Sequence, residues 1–351
     1  MAVKTIFKLA GALTMMAMSA VARQTPPRVA LYLDHGCRGA GTIAWAQLLS
    51  RASDLEFSTI DAAEIMAGAL DKVDCLVMPG GGGLERYRDW GEAGCAKIRR
   101  FVERGGRYLG TCAGESVLLN EPNRVRLLPF KGDGSWGRGG MSADIELDAR
   151  FAELTGVPAG HRAVRYHNGP CVVPADPVPG CRAEVMARFN CTLMAKGTMP
   201  SEMNGKPAAI WAEYGQGRIF VFAVHPEVSP ANRDLVRGAF EALLGVKIEF
   251  ARPAKAKRPW RVAFYAGEID AGDDTREIVR MALALDAKEK IDLIAIAAED
   301  VEAGALDHAD ALVLPRNRRS KLSAGAQTLI GEFIRRGGIA ASSAEELEVL
   351  E

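Results

Sequence analysis

The sequence writes one stretch twice. Arg28-Val29-Ala30-Leu31-Tyr32 returns as Arg261-Val262-Ala263-Phe264-Tyr265, and Gly68-Ala69-Leu70-Asp71 as Gly304-Ala305-Leu306-Asp307. Cys75-Leu76-Val77-Met78-Pro79 returns as Ala311-Leu312-Val313-Leu314-Pro315, and Arg104-Gly105-Gly106 as Arg336-Gly337-Gly338. The offset holds between about 232 and 236 residues, so whatever the first copy folds into must fold twice from one chain. The organisation predicted from this is a first unit over 23–249, a basic, Pro- and Ala-containing linker over 250–259, and a degenerate, truncated copy over 260–351.

Within the first copy, short apolar runs alternate with helical periods. Val29 to Leu33 and Val73 to Met78 read as buried strands, Thr42 to Ala52 and Gly94 to Arg104 as helices. Arg107 to Leu109 reads as a strand entering a Gly-rich turn, and Ile219 to Ala223 as a late strand before a helix over Ala231 to Leu244. This rhythm predicts an α/β fold, a parallel sheet with helices on both faces, which binds ligands beyond the carboxyl ends of its strands. A length of 351 residues is enough for two cores. With 48% hydrophobic and 25% charged residues the chain is not a disordered one. Its 44 basic and 44 acidic residues leave no positive footprint for nucleic acid.

The first residues read as an export signal. Lys4 and Lys8 precede an apolar run from Leu9 to Met18, and Ser19-Ala20-Val21-Ala22 supplies small residues for cleavage after Ala22. The expectation is a secreted or periplasmic protein with no membrane span in the mature chain and a net charge of about −2.

The repeat serves as an internal control on function. After Pro79 the first copy has Gly80-Gly81-Gly82-Gly83, where the second has Arg316-Asn317-Arg318-Arg319. Thr111-Cys112-Ala113-Gly114 gives way to Ser343-Ala344-Glu345-Glu346. Framework residues persist while these special positions do not, so the special positions serve chemistry rather than the fold.

Gly110-Thr111-Cys112-Ala113-Gly114 has the small-x-nucleophile-x-small spacing of a nucleophile elbow at a strand-to-helix turn. Cys112 at the start of a helix is placed to be a thiolate. A cysteine nucleophile needs a base, and of five histidines His225, in Val224-His225-Pro226-Glu227, falls at the carboxyl edge of the late strand. Glu227 is spaced to orient its ring.

A Pro-Gly-Gly loop, Gly-x-Cys-x-Gly, and Tyr-Gly-x-Gly-Arg followed by His-Pro-Glu together resemble the class I glutamine amidotransferase-like superfamily. With Tyr166-His167-Asn168-Gly169-Pro170 they are similar, more narrowly, to the N-terminal domain family of biotin-protein ligases, over about Arg28 to Gly245. The resemblance implies a flavodoxin-like sheet in which Cys112 attacks a carbonyl, His225 moves protons and Glu227 orients His225. It implies an oxyanion hole from the backbone amides of Gly81 or Gly82 and of Ala113.

The departures narrow the activity. Glutamine-hydrolysing members carry a Gln shortly after the elbow, where this chain has Glu115-Ser116. Gly137-Arg138-Gly139-Gly140 is too short for a nucleotide loop, and no stretch reads as a synthetase or ligase domain. Glu115, His167, Asn168 and His35 (in Asp34-His35-Gly36-Cys37, after the first strand) are the candidate substrate contacts. No cofactor and no metal site is expected, and Met194 to Met203 reads as adaptable packing. Asn190-Cys191-Thr192 is formally a glycosylation sequon. Apart from Cys112, six cysteines remain, Cys37, Cys75, Cys95, Cys171, Cys181 and Cys191, and at least one local bridge is expected among the last three. Cys75 reads as a small buried hydrophobe. The function expected is an exported amidase-like hydrolase acting on a small amide, peptide or related acyl substrate. The alternative is a catalytically inactive ligand-binding protein on the same fold. A redox or intracellular-protease-like relative with its acid on another loop fits the His225-Pro226-Glu227 spacing less well. The second copy is expected to be catalytically inert, covering the sheet edge or shaping the pocket entrance.

Overall fold

The computed structural model describes residues 25–37, 39–133, 140–190, 203–251, 254–267, 275–315 and 322–342. The apolar runs of the first copy become β1 (Arg28–Tyr32), β2 (Glu56–Ile60), β3 (Cys75–Met78) and β4 (Arg107–Thr111). β1, β3 and β4 are buried along nearly their whole length, because helices cover both faces of a parallel sheet. α1 (Gly39–Ser50) precedes β2, α2 (Ala62–Met66) follows it, and α3 (Gly83–Glu103) joins β3 to β4. α3 is longer than its sequence pattern indicated and breaks at Gly91, whose φ of 57° no helix continues. β11 (Gly217–Phe222) pairs parallel with β4, giving the order β2-β1-β3-β4-β11 that a flavodoxin-like α/β sheet requires.

Beyond β11 the sheet turns antiparallel. It adds β10 (Pro207–Tyr214), β9 (Cys181–Phe189), β6 (Gly140–Leu147) and β7 (Gly160–His167), for nine strands among the described residues. The sequence pattern did not resolve this half. The long sheet curls back on itself: Arg165, near the end of the edge strand β7, makes a β-bridge with His225 just past β11. The His225 N–H donates to the Arg165 carbonyl at 2.7 Å. An expected helix over Ala231 to Leu244 is a 3-10 turn followed by α6 (Arg233–Leu244).

The second copy forms its own parallel sheet from β12 (Trp260–Tyr265), β13 (Ile291–Ile296), β14 (Ala311–Val313) and β15 (Ile339–Ala341), in the order β13-β12-β14-β15. That order is the order of β2-β1-β3-β4. Local devices repeat with it. The N–H of Arg28 donates to Asp74 at 2.9 Å, and that of Arg261 to Asp310 at 2.8 Å. Gly68 and Gly304, each with φ near 90°, start equivalent 3-10 turns. Arg104 pairs with Asp71, and Arg336 with Asp307.

The two copies pack through equivalent helices, α1 against α7 (Thr275–Asp286). This explains why α1 is apolar on almost every side, with its residues buried from Ala40 to Leu49: one face meets its own sheet and the other meets the second copy. Reciprocal ion pairs close the rim. Arg276 of the second copy holds Asp61 and Glu64, which cap α2. Arg165 of the first holds Glu299 and Asp300 at the start of α8 (Ala298–Glu302). The carboxyl edges of both sheets therefore meet around one cavity.

Among the described residues, no helix is long and apolar enough to cross a membrane. Cys171 and Cys181 are not bridged to each other, and Cys191 lies outside the described residues. Residues 1–22, where a leader was expected, the Gly137-to-Gly139 segment, most of Met194 to Met203, and both replacement loops of the second copy also lie outside them.

Candidate active site

Cys112 follows β4 directly and is the N-cap of a one-turn helix, α4 (Ala113–Ser116). Its backbone sits at φ 53°, ψ −112°, a conformation that non-glycine residues adopt only when their surroundings impose it. The flanking glycines make room for the close packing that holds it. A Cβ on Gly114 would stand 2.2 Å from the Met78 carbonyl oxygen, and one on Gly110 would stand 2.8 Å from the backbone of Gly114. The Tyr108 hydroxyl donates to the Gly114 carbonyl at 2.7 Å and fixes the turn from beneath.

His225 stands just past β11 with Nδ1 2.8 Å from Glu227 Oε1, so the carboxylate holds the proton on Nδ1 and presents Nε2 to Cys112. Both side chains are buried. Gly80 shows how tightly His225 and Cys112 converge: a Cβ there would lie 3.5 Å from both Cys112 Cβ and His225 Nε2. Burial alone pushes the imidazole pKa down. The negative charges of Glu227 and Cys112, with hydrogen bonds to both, override it and hold the ring above the ordinary histidine range. Glu227 is itself oriented: the Thr111 hydroxyl donates to Oε1 at 3.2 Å and accepts from Trp45 Nε1 at 3.0 Å. Trp45 and Thr111 were missed in the sequence, although Thr111 is part of the elbow motif.

These residues face a cavity of about 630 Å³. Gly81, Cys112, His167, Asn168 and His225 line it, so the structure brings together five of the residues the sequence singled out. Cys112 Sγ lies 3.4 Å from the His167 carbonyl, which accepts from the sulfur when it is a thiol. Asn168, at φ 50°, turns the chain there, and Gly169 packs on the Ala223 carbonyl so closely that a Cβ would overlap it.

Three candidates fall elsewhere. The Gly82 N–H is already donated to the Gly36 carbonyl at 2.8 Å, which leaves Gly81 as the loop amide available to an oxyanion. His35 faces away from the cavity and meets Asp89 at 3.3 Å. Glu115 does not line the cavity either. It is buried with neither carboxylate oxygen hydrogen-bonded, and burial, then the Cys112 charge, raises its pKa well above the usual range. Its neutral carboxyl points into protein because one turn of helix carries the residue three past Cys112 inward.

The opposite wall was not foreseen residue by residue. Tyr265, Gly267, Ala297 and Glu299 of the second copy line the same cavity, with Arg165 of the first. Glu299 pairs with both His167 and Arg165. Burial pushes the Glu299 carboxyl up, but the His167 hydrogen bond and charge, with Arg165, bring it down to about 2. A charged residue at a strand end reads in sequence as a solvated one, so only the repeat itself, placing 297–299 at a carboxyl edge, signalled this wall. Among the described residues no cluster of His, Cys, Asp or Glu suits a metal ion.

Comparison with known proteins agrees with the resemblance carried by the motifs. The family model described as "Biotin-protein ligase, N terminal" matches residues 53–116, which include β3 and the elbow. The biotin–protein ligase of Schizosaccharomyces pombe is 28% identical over 171 residues, 44% of this chain and 25% of that protein. The match thus spans a quarter of the relative's length. Among solved structures the chain is similar to PurLQS from Thermotoga maritima, with a TM-score of 0.42 and 19% identity over 63% of this chain and 99% of that one. It is also similar to a glutamine amidotransferase from the same organism, with a TM-score of 0.39 and 14% identity over 63% of this chain and 85% of that one. Over part of its length the chain resembles the N-terminal region of biotin-protein ligases.

Proposed function

We propose that the protein is an exported cysteine hydrolase that cleaves a small amide, peptide or related acyl substrate through Cys112, His225 and Glu227. The observation that carries this reading is the strained, non-glycine φ of Cys112 beside a buried His225–Glu227 pair. Strain of that kind at a strand-to-helix turn exposes a nucleophile, and a structural cysteine has no need of it. In this reading the Cys112 sulfur attacks the acyl carbon, and the oxygen's developing charge is met by the Gly81 and Ala113 N–H groups. The His225 imidazolium gives its Nε2 proton to the leaving amine, which departs as the thioester forms. The ring then takes a proton from water, whose oxygen attacks the thioester and releases the acid and the thiolate. Glu227 keeps the ring in one tautomer and offsets its charge throughout.

The 630 Å³ cavity fits a substrate of a few residues' size, and its wall of paired charges fits a polar one. The unit over 23–249 carries the chemistry in this proposal, and the copy over 260–351, joined by 250–259, forms the wall. The test is a screen of the mature protein against amide and peptide libraries with Cys112→Ala as control. Turnover that survives Cys112→Ala overturns the assignment of Cys112 as the nucleophile. A Cys112 that labels slowly with iodoacetamide whether or not His225 is replaced by Ala supports the ligand-binding alternative instead. Sequencing the N-terminus of the exported protein, expected at Arg23, tests the leader.

A further inference from the structure

Arg86, near the start of α3, is completely buried, yet no carboxylate among the described residues pairs with it. Its Nε and Nη1 make no hydrogen bond, and its guanidinium lies 5.5 Å over the Tyr32 ring. A cation without a counter-charge is costly to bury, so its remaining contacts should say what it is for. All of them belong to the two loops at the carboxyl ends of β1 and β3. Nη2 donates to the Gly80 carbonyl at 2.7 Å and to the Gly36 carbonyl at 3.2 Å, with Cys37 Sγ at 3.7 Å. The Gly36 carbonyl also accepts the Gly82 N–H, so one guanidinium stitches both loops into one unit.

The Gly80 carbonyl shares its peptide group with the Gly81 N–H. A trans peptide is planar, so its C=O and N–H point in opposite directions. Drawing the Gly80 oxygen inward to Arg86 therefore turns the Gly81 N–H outward, toward the cavity that Gly81 lines. Gly81 pays for this orientation with a φ of 133°, open in practice only to glycine. A charged donor on the carbonyl also polarises the peptide and makes its N–H a stronger donor.

We propose that Arg86 is a positioning residue for acyl transfer: by pinning the Gly80 carbonyl it aims the Gly81 N–H at the oxygen of the acyl group being attacked by Cys112. The inference rests on the acyl-transfer reading above. It requires two reactions at Cys112 to respond differently. Alkylation by iodoacetamide displaces iodide at a saturated carbon and develops no oxyanion. Acylation by p-nitrophenyl acetate passes through one: sulfur adds to the carbonyl, p-nitrophenolate leaves, and a thioester remains.

The experiment measures both rates on the full chain for wild type, Arg86→Met and Arg86→Lys, with Cys112→Ala as background. Arg86→Met is expected to slow acylation by at least about 10-fold, within the loss known for one oxyanion donor, and to change alkylation less than about 2-fold. Arg86→Lys, which keeps the charge on a shorter side chain and so holds the Gly80 carbonyl less closely, is expected to lie between the two. If Arg86→Met does not fold, Arg86→Lys decides, with slowed acylation and unchanged alkylation expected. Equal acylation in wild type and variants overturns the proposal, as does a parallel fall in both reactions, which marks a merely structural residue. A wild-type Cys112 that alkylates but accepts no acyl group overturns the acyl-transfer reading and this proposal with it.

Discussion

Glu299 of the second copy is ion-paired to His167 of the first, and the His167 carbonyl lies 3.4 Å from Cys112 Sγ. The second copy thus reaches within one residue of Cys112. Replacing Glu299 by Gln leaves Arg165 and His167 without that charge and is expected to destabilise the packing of the copies by about 1–3 kcal/mol. Thermal unfolding reads the loss, and faster hydrogen exchange in both 165–168 and 297–302 locates it.

The same pair sets an acid limit. The Glu299 carboxyl is held down to about 2 in the folded chain, against an unfolded value near 4.3. Its stabilising contribution is therefore complete above about pH 5 and fades as pH falls from there toward 2. Denaturant titrations between pH 6 and 3 should show a steeper loss of stability for wild type than for Glu299→Gln. Equal slopes overturn the assignment.

Glu227 governs the state of His225. With the imidazole pKa held above its ordinary value near 6.5, the group stabilises the fold fully below about pH 6.5 and loses that contribution as pH rises through the raised value. Glu227→Gln removes the charge that opposes desolvation, so the ring becomes neutral at lower pH. Alkylation of Cys112 at neutral pH should slow by about 10-fold, with the pH profile displaced, because an imidazolium no longer supports the thiolate.

Gly41 separates helix stability from function. It lies in α1, where alanine is the better helix former by about 1 kcal/mol. A Cβ there would stand 2.7 Å from Glu227 Oε1 and 3.0 Å from His225 Nδ1. Gly41→Ala is expected to fold with unchanged helix content in circular dichroism while Cys112 alkylation falls by at least about 5-fold, through displacement of the charged pair.

Thr111→Val tests the support behind Glu227. The valine keeps the shape but leaves Trp45 Nε1 without an acceptor and Glu227 Oε1 without one donor, at a cost of about 1–3 kcal/mol. A stability unchanged within error in denaturant titration argues that the Trp45–Thr111–Glu227 chain does not orient the base.

The readable parts of the site are those held by neighbours in sequence. The elbow is spaced by the sterics of one turn, and Gly110 and Gly114 are small because backbone lies within 3 Å of where a Cβ would go. His225-Pro226-Glu227 brings base and acid together across two residues. Glu115 and His35 were misplaced for the complementary reason. Adjacency to a functional loop does not say which way a side chain faces, and Glu115 turned inward while His35 turned toward Asp89.

By itself the sequence determined the repeat, the parallel strand-and-helix rhythm and the Cys112–His225–Glu227 set, because these depend on residues that are local or copied. Tertiary structure alone decided the walls. The antiparallel half must curl for β7 to return beside β11 and bring His167 and Asn168 to the cavity that Cys112 lines. The two copies must also dock α1 on α7 for Glu299 to face them. Both depend on pairings between strands and helices far apart in the chain. Nothing in the composition of Arg165 or Glu299 distinguishes a partner across such an interface from a charge in water.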